Sequence, residues 1–220
     1  MSKNDLLYLP VSLGEAIDKI TILDIKLDKI KDNRKLDVKK EYDLLFDKLK
    51  IFITDYKQLY STMKKVNLLI WDMMDILRDG DINEELYLKI CKECIEHNDI
   101  RFRVKNKINY LSKSLLKEQK SYKINKLIIV INKELNNNET FFNIIKYFSF
   151  IYDEINIITK FELDYLKKYF NYDVTILFKS NFENELIEYK NKIIIEDKEY
   201  IEDELYKLFN ITENEINRII

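Results

Sequence analysis

Two pairs of carboxylates, Glu15 with Asp18 and Asp72 with Asp75, are the first residues of this chain whose types and spacing invite chemistry. A spacing of three puts both members of a pair on one helical face. If the two faces met, four carboxylates would suit a hard cation such as Mg2+, and water on that ion would attack a nucleotide or another phosphoester. Mg2+ is the one cofactor the residues raise, and only under this hydrolytic reading. The chain also holds 39 acidic residues, so helix caps and solvated faces account for the same spacing.

Other side chains extend the set. Trp71, the only tryptophan, lies one turn before Asp75 and would serve either as a stacking wall for a sugar or base or as a core aromatic. Cys91, Cys94 and His97 form C-x-x-C-x-x-H, but i, i+3, i+6 spacing turns the last side chain away from the first, and no fourth zinc ligand follows. His97 is the sole histidine and lacks a serine or cysteine nucleophile pattern beside it. Arg101, Arg103, Lys105, Lys107, Lys113, Lys117, Lys120 and Lys123 make one basic stretch, opposed across that span by Asp99 and Glu118. Such a helix either holds phosphate, with Arg101 as a fork and Lys105 as a point charge one turn on, or neutralises acidic helices beside it.

Composition bounds the rest. The 220 residues carry 37 basic and 39 acidic side chains, so the net charge of -2 offers no whole-chain attraction for nucleic acid or a membrane surface. No stretch approaches the roughly 20 apolar residues of a membrane span, the N-terminus carries no secretory pattern, and two cysteines make no disulfide framework. A cytoplasmic protein is expected, in a host cytoplasm if the source is viral. With two Gly and one Pro, regular elements must dominate.

Those elements are legible in the periodicity. Ser12 and Glu15 form a capping-box pattern, followed by Leu13, Ile17, Ile20, Leu23, Leu27 and Ile30 on one stripe. A turn at Asp32-Asn33-Arg34 leads to a second helix marked by Leu45, Leu49, Phe52, Tyr56 and Leu59, and Val66 to Leu77 marks a third that ends at Asp79-Gly80. Asp81 with Glu84 reads as a second capping box opening a fourth helix, His97-Asn98-Asp99 as a break, and Phe102 to about Gln119 as a fifth. Beyond Tyr122 the pattern changes to β-branched runs at 127–131, 155–158, 174–178 and 193–195. Between and after them lie helical stretches at 139–151, 161–170, 182–190 and 201–209, and Thr212 with Glu215 opens a final turn. The fold expected is α+β overall: a helical bundle over residues 1–122, then a small α/β domain with a mainly parallel sheet over 123–220. The turn from Asn132 to Asn138 has no glycine, which argues against an ordinary P-loop or dinucleotide site there. Asn132, Lys133, Lys160 and Ser180 fall at carboxyl ends of strands, where such sheets bind ligands.

The strings PVSLGEAIDKITILDIKLDKI, VNLLIWDMMDILR and HNDIRFRVKNKIN resemble a family of uncharacterised bacterial and large-virus proteins associated with surface-polysaccharide and glycosylation genes. The resemblance covers residues 8 to 122. It places motif letters on Gly14, Glu15, Asp18, Lys19, Lys26, Asn67, Trp71, Asp72, Asp75, Asn98, Arg101 and Lys105. The second half looks like half of a two-domain glycosyltransferase, without the partner domain or its donor-binding pattern.

Three functional expectations follow. The first is an accessory or binding protein of a glycan pathway, with a polar pocket in the bundle for a phosphorylated sugar or a docked glycosyltransferase. The second is the Mg2+-dependent hydrolase. The third is a structural oligomerisation module, a homodimer joined through an apolar seam.

Overall fold

The computed structural model describes residues 7–121, 124–132, 139–159, 161, 164–170, 173, 175–179, 192–195 and 212–220. Its first half is helical: α1 (Leu13–Lys29), α2 (Arg34–Asp55), α3 (Lys57–Asp79) and α4 (Glu84–Leu111). Ser12 caps α1, its Oγ accepting from the Glu15 amide at 3.1 Å. The reciprocal half of the expected capping box gives way to an ion pair, because the Glu15 carboxylate accepts from Lys105 on α4. α1 buries Ile17, Ile20, Leu23 and Ile25. Its core partners include Leu49, Met63, Val66, Ile100, Val104 and Ile108 from the other three helices.

Four features depart from the periodic reading. The single residue Tyr56 separates α2 from α3, so Leu59 belongs to the third helix. Asn33 and Asn83, not Asp81, hold the N-cap positions of α2 and α4, and Asn83 Oδ1 accepts from the Leu86 amide at 2.8 Å. The expected break at His97-Asn98-Asp99 is absent, and α4 is one helix of 28 residues. Polar residues of these types favour loops, but here the backbone ladder is complete and His97 Nδ1 bonds back to the Glu93 carbonyl at 2.7 Å. α4 ends at Leu111 rather than near Gln119, beside Lys113 with φ of 53°. Gly80, at φ 73°, closes α3 as expected, since glycine meets no Cβ penalty in the left-handed region.

The second half contains β1 (Lys126–Ile131), α5 (Glu139–Ile151), β2 (Glu154–Thr159), α6 (Asp164–Tyr169), β3 (Ile176–Lys179), β4 (Lys192–Ile195) and α7 (Glu213–Ile219). The described strands form one parallel sheet in the order β3-β2-β1-β4, with Leu127 opposite Ile155 and Ile129 opposite both Ile157 and Ile193. Leu127, Ile129 and Ile131 pack on Phe141, Ile144, Ile145 and Phe148 of α5, while Ile128, Val130 and Ile158 are buried on the opposite face. The first face is apolar, and the second is mainly so but also buries Asn156, which stands opposite Ile128. Thr212 and Glu215 complete the capping box of α7. Val174 and the stretches 182–190 and 201–209 lie outside the described residues.

The halves share apolar and polar contacts. Phe150 of α5 and Ile219 of α7 lie in the core of the helical half, and Arg103 Nε donates to Asp153 at 2.8 Å.

Candidate functional site

The basic stretch divides by helical geometry. Residues two apart on a helix are separated by about 200°, so Arg101 and Lys105 occupy one face of α4, and Arg103 and Lys107 occupy another. Arg103 and Lys107 turn to the second half, pairing with Asp153 and Asp173. Arg101 and Lys105 turn toward α1, where both act electrostatically on Asp18. Neutralisation accounts for four of the eight: besides Arg103 and Lys107, Lys105 pairs with Glu15 and Glu118, and Lys120 with Asp99. Arg101 differs. Its Nη2 donates to the neutral Asn98 Oδ1 at 2.7 Å, and its other N–H groups make no hydrogen bond among the described residues.

Three helices build a polar cluster around Asp18. The carboxylate is 5 % exposed and accepts from Asn67 Nδ2 of α3 at 2.8 Å; the same amide reaches Thr21 Oγ1 at 2.9 Å. Thr21 Oγ1 donates in turn to the Asp18 carbonyl at 2.7 Å. Burial pushes the Asp18 pKa up, and Asn67, Arg101 and Lys105 oppose that rise. Burial pulls Lys105 down, but its bonds to Glu118 and Glu15 outweigh it and leave the ammonium more basic than usual. The approach of α1 to α4 depends on Gly14, whose amide donates to Asn109 Oδ1 at 2.7 Å beside the Lys105 carbonyl.

Glu15, Asp18, Asn67, Arg101 and Lys105 are thus assembled, with Asn98 held by Arg101. Trp71 is half-buried one turn beyond Asn67 on α3. The remaining sequence candidates lie elsewhere. Lys19 pairs with Glu41 at 2.7 Å on the surface. Asp72 pairs with Lys29, which lies roughly 16 Å along α1 from Asp18, and exposed Asp75 pairs with Arg78 at 3.5 Å. Lys26 has no ion pair among the described residues. The two carboxylate pairs therefore do not converge, because α3 runs along α1 and places Asn67, not Asp72, against Asp18. Among the described residues no group of three or more His, Cys, Asp or Glu side chains is arranged to hold a metal ion. Of the strand-end candidates Asn132 is exposed, and Lys133, Lys160 and Ser180 lie outside the described residues.

Sequence reasoning missed Thr21 and Asn109 as members. Both were accessible from spacing, since Thr21 lies three residues after Asp18 and Asn109 lies one turn after Lys105 on the same face of α4.

Asp18→Asn isolates the electrostatic part of the cluster. Because the folded-state pKa is raised, the folded protein binds more protons than the unfolded chain between the ordinary carboxylate pKa and the raised one. Stability contributed by this group therefore rises as pH falls through that window, and the penalty of the buried charge is complete above it. The variant is expected to equal or exceed the parent in stability at neutral pH and to lose that advantage in acid, as read by urea midpoints across pH.

The fold and cluster define an α+β protein in which a helical bundle carries a three-helix polar site, and α5 and α7 of the half that holds the small parallel sheet pack against the bundle. The chain belongs to DUF6165, a family of unknown function, which matches residues 7–138 and so spans the whole cluster. No curated protein and no solved structure matches it.

Proposed function

We propose that this chain is an accessory binding protein of a glycan-assembly pathway and that the cluster on α1, α3 and α4 receives a phosphorylated sugar. The observation that carries the reading is Arg101, a half-buried guanidinium with unspent donors, within electrostatic reach of the buried Asp18 carboxylate. A guanidinium fork suits phosphate oxygens bidentately. The half-buried Asn98 supplies an amide for a hydroxyl group, while buried Asn67 stays bonded to Asp18 and Thr21, and Trp71 supplies a flat face for a sugar ring. Asp18 and Lys105, both buried, act as the back wall that orients Arg101. The pathway itself rests on the sequence resemblance to proteins of surface-polysaccharide gene neighbourhoods. No helix of the described residues is long and apolar enough to cross a membrane, so the ligand would be met outside a bilayer span.

Calorimetric titration with a panel of hexose 1-phosphates and nucleotide sugars tests the proposal, with the sole tryptophan as an optical reporter. Binding is expected to change Trp71 fluorescence. Arg101→Ala should weaken it by roughly tenfold to a hundredfold, corresponding to about 1.5–3 kcal/mol for a charge-assisted bond. Silence from every member of the panel would remove the reading.

A further inference from the structure

We propose that the cavity between α3, α4, α5 and α6, on the face of α4 opposite the Asp18 cluster, binds a flat-ringed organic phosphate of which a nucleoside monophosphate is the type. The cavity has a volume of about 390 Å³ and is walled by Lys107, Lys146, Phe150, Tyr169, Phe170 and Asp173. That size falls within the range of small-molecule sites, roughly 300–1,000 Å³.

Its charge is unbalanced. Lys107 Nζ bonds Asp173 Oδ1 at 2.5 Å and Ser149 Oγ at 2.9 Å, which uses the only carboxylate lining the cavity among the described residues. Lys146 lies within electrostatic reach of the same Asp173, yet its ammonium makes no hydrogen bond or ion pair among the described residues. Two ammonium groups therefore face one carboxylate, and Lys65 adds further positive charge from α3. Burial lowers the pKa of both Lys107 and Lys146 against the pull of Asp173, so an anion beside Lys146 would favour its charged form. A phosphate would supply that anion.

The apolar walls select the body of the ligand. The buried Phe150 ring lies under Lys107 Nζ at 4.9 Å, forming the floor. Tyr169 is 48 % exposed, and it meets Phe170 edge-on at 4.9 Å and Phe142 at 4.7 Å, so the ring is fixed from behind. A clamped, half-open aromatic at the mouth of a cationic cavity offers a stacking face beside a phosphate contact.

The test is calorimetric titration of the full chain with AMP, UMP, adenosine and inorganic phosphate. Both nucleotides are expected to bind, with adenosine and phosphate each weaker by roughly tenfold or more. Lys146→Gln should weaken the nucleotides by about tenfold while Lys146→Arg restores them, and Tyr169→Ala should weaken the nucleotides but not inorganic phosphate. Unchanged circular dichroism melting would show that each variant folds. The proposal is overturned if the parent binds neither nucleotide, if phosphate alone binds as tightly as AMP, or if Lys146→Gln binds normally. Arg101→Ala should leave nucleotide binding intact; its loss would assign the phosphate to the Asp18 cluster and overturn this site without touching the sugar-phosphate proposal.

Discussion

A single methyl group at Gly14 is expected to destabilise the protein by about 3 kcal/mol, through overpacking and a broken buried hydrogen bond. For a chain of this length that corresponds to a fall in Tm of roughly 6–12 °C. A Cβ built on Gly14 would lie well inside van der Waals contact of the Lys105 carbonyl and 2.8 Å from Asn109 Oδ1. Neither neighbour can yield at low cost. The carbonyl is helix backbone, and the Asn109 amide, fully buried, already accepts from the Gly14 N–H. Relief requires α1 to move off α4, which pulls Asp18 from Arg101 and Lys105 and so disturbs the polar cluster as well as the core. Alanine is the better helix former by about 1 kcal/mol, so propensity alone predicts the opposite sign. A Gly14→Ala variant that melts at or above the parent temperature would show that the α1–α4 crossing has slack.

The same pair of helices shows what can be read from residues and what cannot. Capping at Ser12, Gly80 and Thr212 was visible because it depends on neighbours within four residues. The strands at 127–131 and 155–158 were visible because β-branched runs of that length have few other uses. α4 was misread at His97-Asn98-Asp99, since side-chain type suggested a break while tertiary packing on both faces carries the helix through. At the site, residue type and spacing identified Asp18, Arg101 and Lys105 and the family resemblance added Asn67, but spacing also set Asp72 and Asp75 against Glu15 and Asp18. Which turn of α3 meets Asp18 depends on how far α3 slides along α1, a property of side-chain interlocking with no local signature. The role of Lys107 was hidden for a similar reason: its partner Asp173 lies 66 residues away in sequence.

That long-range pair yields the largest effect expected of one charge. Asp173→Ala should cost about 3–5 kcal/mol at neutral pH, the usual penalty for stripping one partner from a buried ion pair. Lys107 is 5 % exposed, and burial holds its pKa below the ordinary lysine value even with Asp173 opposing the shift. The unfolded chain therefore binds more protons than the folded protein between the lowered pKa and the ordinary one, and stability rises with pH across that window. Removing Asp173 takes away the opposing partner, drives the pKa further down and widens the window. The deficit should be largest near pH 7 and shrink toward about pH 10, where an unfolded lysine begins to release its proton. Lys107→Met combined with Asp173→Ala should recover most of the loss, because an apolar side chain of similar length fills the space over Phe150 without a charge to bury. Asp173 also accepts from the Thr175 amide at 3.0 Å. Asp173→Asn separates the two roles: it keeps that acceptor and loses the charge, so it should resemble Asp173→Ala if neutralising Lys107 dominates. If instead Asn restores stability while the double variant does not, Asp173 acts by shaping the turn into β3, and Lys107 is neutral in the folded protein at pH 7.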